Sequence, residues 1–198
     1  MSATSAPFGL RPAFHPSGLD RAQALAGGIP SAFNTDIFKG QPVRYQTTAI
    51  GGTLGTITPA TTSGAWVGAF AGVQYTDTTG LARVSNYWPA NTAYTTGSCV
   101  AYFYNDSNIV YEIQASGTMA QTTIGNEYNF ASVTAGSTTT GLSACTLDAS
   151  SAVGNGAQGQ MRVVDIAPYP GNDWGDSYTI VRVVCAQSQF FGAFTAIA

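Results

Sequence analysis

The side chains that could do chemistry are few and far apart. The chain has one histidine, His15, set between Phe14 and Pro16, and ten acidic against seven basic residues in 198. A serine hydrolase relay needs an imidazole oriented between nucleophile and acid, and His15 lies in an irregular Pro/Gly-rich stretch that favours a structural contact. Zinc or iron sites built on several histidines are excluded by count. Glu112 and Glu127 are the only glutamates, and Asp77, Asp106, Asp148, Asp165, Asp173 and Asp176 are scattered. Glycoside hydrolysis needs two carboxylates roughly 5–9 Å apart across a groove, and no pair is singled out. Asn172-Asp173-Trp174-Gly175-Asp176 offers oxygen ligands but lacks the alternating ladder of a calcium loop; Asx turns shaping the Pro170-Gly171 corner explain it better. Cys99, Cys145 and Cys185 are spaced for neither zinc nor a disulfide framework and read as buried thiols in strands, in keeping with a reducing cytosol. No glycine-rich phosphate loop is present, and no cofactor or metal is expected.

Composition sharpens this. Only 9% of residues are charged, the formal net charge is −3 and the pI is near 4.7. Average soluble domains carry roughly 25% charge. A phosphate backbone calls for concentrated Lys/Arg, so direct nucleic-acid binding is not expected. No window approaches 18 uninterrupted apolar residues, so no membrane helix is expected, and the opening residues lack the pattern of a secretory signal. A surface of hydroxyls, amides and backbone can pack against another protein at low desolvation cost.

The elements that must position these residues are strands. Two-residue periodicity starts at Pro42 and recurs at 43–50, 53–58, 65–77 (bent at Gly68 and Gly72), 81–84, 127–134, 142–147, 161–167 and 178–186. Cys99–Tyr104 and Ile109–Gln114, flanking Asn105-Asp106-Ser107-Asn108, read as a β hairpin, with Glu112 on the strand side opposite Tyr111. The Val-rich strands at 161–166 and 178–185 are expected to be central. The fold class is all-β: an antiparallel sandwich, jelly roll or small barrel with an extended irregular N-terminal arm. Residues 1–40 form that arm and 41–198 the β body. Asp20–Ala26 could add two helical turns ending at Gly27-Gly28. Because the arm is irregular yet apolar, it must lie on something, either its own body or a neighbouring subunit.

Several blocks carry a resemblance. Pro7-Phe8-Gly9-Leu10-Arg11-Pro12 is followed by His15-Pro16-Ser17-Gly18 and by Thr35-Asp36-Ile37-Phe38-Lys39-Gly40-Gln41-Pro42-Val43. Further blocks are Gly72–Asp77, Val84-Ser85-Asn86-Tyr87-Trp88-Pro89, Val110–Ala115, Thr140–Ser143 with Leu147-Asp148, and Met161–Val164. Together they span most of residues 7–187 and resemble the head decoration (cement) proteins of tailed bacteriophages. The stretch Ala101–Asp106 departs from the pattern, being less acidic and more aromatic. The resemblance implies a non-enzymatic protein made in the host cytoplasm and added to the outer face of a capsid. There it would bridge major capsid protein subunits, as a dimer or trimer with copies of itself. On this reading Phe8, Leu10, Arg11, Phe14, Ile37 and Phe38 contact the partner, and deleting residues 1–38 leaves a folded body that no longer binds particles. The alternative is a virion surface module that binds a host glycan through Trp66, Trp88 and Trp174.

Overall fold

The computed structural model describes residues 4–18, 24–46, 54–154 and 156–190. The described residues form fourteen strands and one 3₁₀ turn at Gln121–Thr123. The strands are β1 (Arg11–Phe14), β2 (Ala24–Gly27), β3 (Pro42–Tyr45), β4 (Ile57–Pro59), β5 (Gly68–Thr76), β6 (Ala82–Ser85) and β7 (Val100–Tyr104). They continue as β8 (Val110–Gln114), β9 (Glu127–Ala131), β10 (Gly136–Ser137), β11 (Leu142–Ser143), β12 (Thr146–Ala152), β13 (Met161–Ile166) and β14 (Ile180–Cys185). The first sheet runs β1-β8-β14-β13-β9-β12 and the second β2-β7-β5-β3-β4, with β6 beside the far end of β5. All named strand pairs are antiparallel, and the sheets form a sandwich-like arrangement, not a closed barrel.

The expected all-β antiparallel class holds, and β13 and β14 are the central pair of the first sheet, where their Val-rich faces are covered. β5 carries the expected irregularity, a register shift between Phe70 and Gly72. Two apolar clusters fill the molecule. One packs Trp66 and Ala69 against Tyr111, Ile113, Phe130, Leu147, Val163 and Val181. The other packs Phe70, Val73, Ala101 and Phe103 of the second sheet against Ile29, Ile37 and Trp88 from the connecting segments.

Three expectations change. β7 and β8 are not a hairpin: β7 lies between β2 and β5, and β8 between β1 and β14, so neither has an edge free for the other. Asn105–Asn108 is instead a corner where the chain crosses between sheets. It is braced by the Asn108 N–H donating to Asp106 Oδ1 (2.8 Å) and by His15 Nε2 at 2.9 Å from Asp106 Oδ2. Alternation and turn residues are local signals, and a crossing corner satisfies them as well as a hairpin does.

The helical turns expected within Asp20–Ala26 do not extend to Ala24–Ala26, which belong to β2; residues 20–23 lie outside the described residues, as does the Gly51-Gly52 turn. The third change concerns the arm. Residues 4–18 and 24–40 are woven into the body, with β1 and β2 as edge strands of the two sheets and Leu10, Ile29, Ile37 and Phe38 buried. Pro12 sits where a strand tolerates proline, at a sheet edge.

Candidate functional site

One row of residues crosses the first sheet. Arg11 of β1 is in register with Glu112 of β8, and Glu112 with Arg182 of β14. Residues paired in register project from the same face, here the face turned away from the Trp66 cluster. The alternating pattern of β8 places Tyr111 and Ile113 in the core and Glu112 and Gln114 on this outer face.

Glu112 is nonetheless buried, its side chain only 5% exposed. Arg11 Nη2 donates to Glu112 Oε2 at 2.9 Å, and the Tyr169 hydroxyl donates to the same oxygen. Arg182 Nε approaches Oε1 at 3.5 Å, an ion pair without hydrogen-bond geometry. Arg11 Nη2 also donates to the Tyr169 hydroxyl oxygen at 2.6 Å. Burial, reinforced by the bond to Glu112, raises the Tyr169 phenol above its ordinary range, so it stays the donor. Aromatic rings flank the cations: the Arg11 guanidinium lies 4.6 Å from the Phe8 ring centroid and 5.4 Å from that of Tyr169, and Arg182 lies 5.4 Å from Phe14.

Beside this row, residues 4–8 lie as a strap over Gln114. The Gln114 amide accepts from the Ala6 N–H (2.9 Å) and donates to the Thr4 carbonyl (3.0 Å). Gly9 and Gly40 let the strap descend onto the Phe38–Gln41 turn. Both have positive φ (72° and 81°), and a Cβ on Gly9 would come within 2.6 Å of the Gly40 carbonyl oxygen. The Leu10 N–H donates to that oxygen at 2.7 Å. Two grooves border the strap, of about 410 and 440 Å³, and both are lined by Phe8 and Arg11.

Of the residues expected to contact a partner, the fold brings Phe8, Arg11 and Phe14 together on this face, with Arg11 and Phe14 exposed. Leu10, Ile37 and Phe38 are buried against their own chain: Ile37 pairs with Trp88 through two backbone hydrogen bonds, and the Phe38 ring stacks on Tyr87 at 5.8 Å. The tryptophans do not form a platform. Trp66 and Trp88 are 1% and 0% exposed, one in each core, and Trp174 packs against the first core. Edge-to-face contacts to Phe130 (5.3 Å) and Tyr75 (5.5 Å) account for the first two.

Other acids among the described residues are tied into structure. Glu127, fully buried, accepts from Arg162 Nη2 (2.6 Å) and the Gly159 N–H (2.8 Å). Asp77 accepts from Thr79, Leu81 and Arg83. In the 172–176 loop, buried Asn172 bonds the backbone of Ala167 and Ile180, the shaping role expected of Asx residues. Among the described residues no group of three or more His, Cys, Asp or Glu is placed to hold a metal ion. Burial raises all three thiols, Cys185 to about 12.

Sequence reasoning placed Glu112 on the strand side opposite Tyr111 but gave neither it nor Tyr169 a site role. The available signal was a glutamate inside the otherwise buried-type run Val110–Gln114, in a chain with only two glutamates. Compared with protein-family models, curated proteins and solved structures, the chain matches none.

Proposed function

We propose that this protein is a non-enzymatic structural component that adds to the outer surface of a bacteriophage capsid and stabilises it by bridging major capsid subunits. The observation that carries this reading is the economy of free charge. Among the described residues, Arg11, Arg83, Arg162 and Arg182 and both glutamates are engaged in ion pairs within the chain. A surface so depleted of unpaired charge loses little hydration on contact with another protein. Single apolar side chains stand out from it, with Val84 85% exposed and Leu25, Leu81, Leu142 and Val164 also exposed. Many small contacts of this kind gain from a symmetric lattice, where repetition multiplies each one.

The resemblance to decoration proteins supports the same reading. Its blocks coincide with β8, β13, the strap with β1, and the Phe38–Gln41 turn. The anchoring surface is revised: contact falls to Phe8, Arg11, Phe14 and the exposed apolar residues, because Leu10, Ile37 and Phe38 serve the chain's own core. The glycan alternative loses two of its three rings to the cores and gains no support.

The test is to add purified protein to expanded shells lacking it, then measure co-sedimentation, heat resistance of the particles and a low-resolution reconstruction. Extra density at local symmetry axes with raised heat resistance is expected. Failure to co-sediment at micromolar protein, with shells and protein both intact, would refute the proposal.

A further inference from the structure

The groove of about 410 Å³ between the strap and the Lys39–Gly40 turn has a chemistry of its own. Phe8, Leu10, Tyr104 and Leu142 supply apolar walls, and Arg11 and Lys39 supply two cations. None of its lining side chains is acidic. Lys39 takes part in no ion pair among the described residues and is exposed. Arg11 is paired with Glu112, but that carboxylate is shared with Arg182, so the cluster of two guanidiniums and one carboxylate keeps a net positive charge. In a protein whose net charge is −3, this local sign is the opposite of the whole.

The groove is also preformed. The Lys39 backbone is held on both sides, its N–H donating to Gly141 O (2.9 Å) and its carbonyl accepting from the Ser143 N–H (3.0 Å). The Gly9–Gly40 contact fixes the opposite wall, and stacking on Phe8 and Tyr169 holds the Arg11 guanidinium in place. Little ordering is left for a ligand to induce. Pro12 at the free edge of β1 removes a backbone donor, so recognition here runs through side chains and not through an added strand.

We infer that this groove binds an extended acidic peptide segment of a partner protein, one that sets an apolar side chain against Phe8 and Leu142 and a neighbouring carboxylate between Lys39 and Arg11. Charge complementarity selects this occupant: a basic segment meets two cations, and a purely apolar one leaves Lys39 to be desolvated without compensation. The inference goes beyond the capsid reading and does not depend on it.

The experiment titrates the full-length protein with two blocked peptides, acetyl-Leu-Asp-Phe-Glu-amide and its neutral counterpart acetyl-Leu-Asn-Phe-Gln-amide, following backbone amide resonances. Saturable shifts at Phe8, Lys39, Gly40 and Leu142 with the acidic peptide are expected, with affinity falling as salt rises. Lys39→Gln leaves the backbone bonds intact and should weaken the acidic peptide about fivefold while hardly changing the neutral one. Leu142→Ser should weaken both. Thermal melts of each variant confirm folding, and if one variant fails to fold the other still decides. Equal binding of the two peptides, shifts confined to other surfaces, or no saturable shift up to millimolar peptide would overturn the inference.

Discussion

Replacing Glu112 by Gln keeps the shape of the side chain and removes its charge. The carboxylate sits 5% exposed between Arg11 and Arg182, at 2.9 and 3.5 Å, and also accepts from Tyr169. Breaking a buried ion pair by removing one partner costs about 3–5 kcal/mol, because the remaining charge is left uncompensated. Here the remaining charges are two guanidiniums, 50% and 26% exposed, and water screens them in part. A glutamine can still bond one of its neighbours, which lowers the loss further. The expected cost is about 2–3 kcal/mol, which lowers Tm by roughly 4–12 °C for a chain of this size.

Urea unfolding at fixed pH with an unchanged slope, supported by calorimetry, measures it. The cycle with Arg11→Met separates the pair from its surroundings. A coupling of about 1 kcal/mol is expected, limited by the exposure of Arg11. A cost for Glu112→Gln under about 0.5 kcal/mol, or strict additivity with Arg11→Met, would show that the row across β1, β8 and β14 is not an energetic unit.

Acid should destabilise the protein in a defined window. Hydrogen bonds to Asp77 (chiefly the Thr79 hydroxyl, then the Leu81 N–H) and to Asp148 (chiefly the Ser150 hydroxyl) hold both carboxyls below their usual range; at Asp106 burial pushes upward but is outweighed by bonds from Asn108 and His15. A carboxyl lowered in the folded state contributes fully above its unfolded value and loses that contribution as pH falls through the folded one. Tm should therefore drop below about pH 4, and Asp106→Asn should make that drop shallower; an unchanged slope counts against the corner contact. Burial keeps the thiols protonated, so native protein at pH 8 should take up almost no iodoacetamide by mass spectrometry while unfolded protein takes up three equivalents; rapid native labelling of Cys145 contradicts the packing. Trp66→Phe should cost more than Trp88→Phe in urea unfolding, because Trp66 Nε1 donates to the Gln160 carbonyl at 3.2 Å whereas Trp88 Nε1 is buried without a partner among the described residues; the reverse order would refute this.

Most strands from β3 onward were legible because each is a short run bounded by turn residues, and β13 and β14 were legible as central because they are Val-rich; β10 and the end of β12, through Ala152, fall outside the expected runs. Pairing was not. The contact of Arg11 with Glu112 spans 101 residues, and no local pattern encodes which edge a strand will choose. The same limit turned a sheet-crossing corner into an apparent hairpin. In the first forty residues the Pro and Gly content reads as irregularity, whereas four-residue edge strands tolerate it. Leu10, Ile37 and Phe38, expected at a contact surface, are buried against their own chain, whereas Arg11 and Phe14 are exposed. Deletion through Phe38, expected from sequence to leave a folded body, instead removes two edge strands and four core side chains.

The row that fastens the strap also sets the charge of the groove beside it. Glu112 neutralises one of two guanidiniums, holding Arg11 against Phe8 while leaving the cluster with one net positive charge. Stability and recognition are therefore opposed at this residue. Glu112→Gln loses folding free energy yet raises the local charge by one unit, so below its melting temperature the variant should bind the acidic peptide more tightly than the parent, by about two- to fivefold. Weaker binding by a variant whose Phe8, Lys39 and Leu142 amide resonances stay at their native positions would mean that Glu112 acts on the groove through something other than its charge.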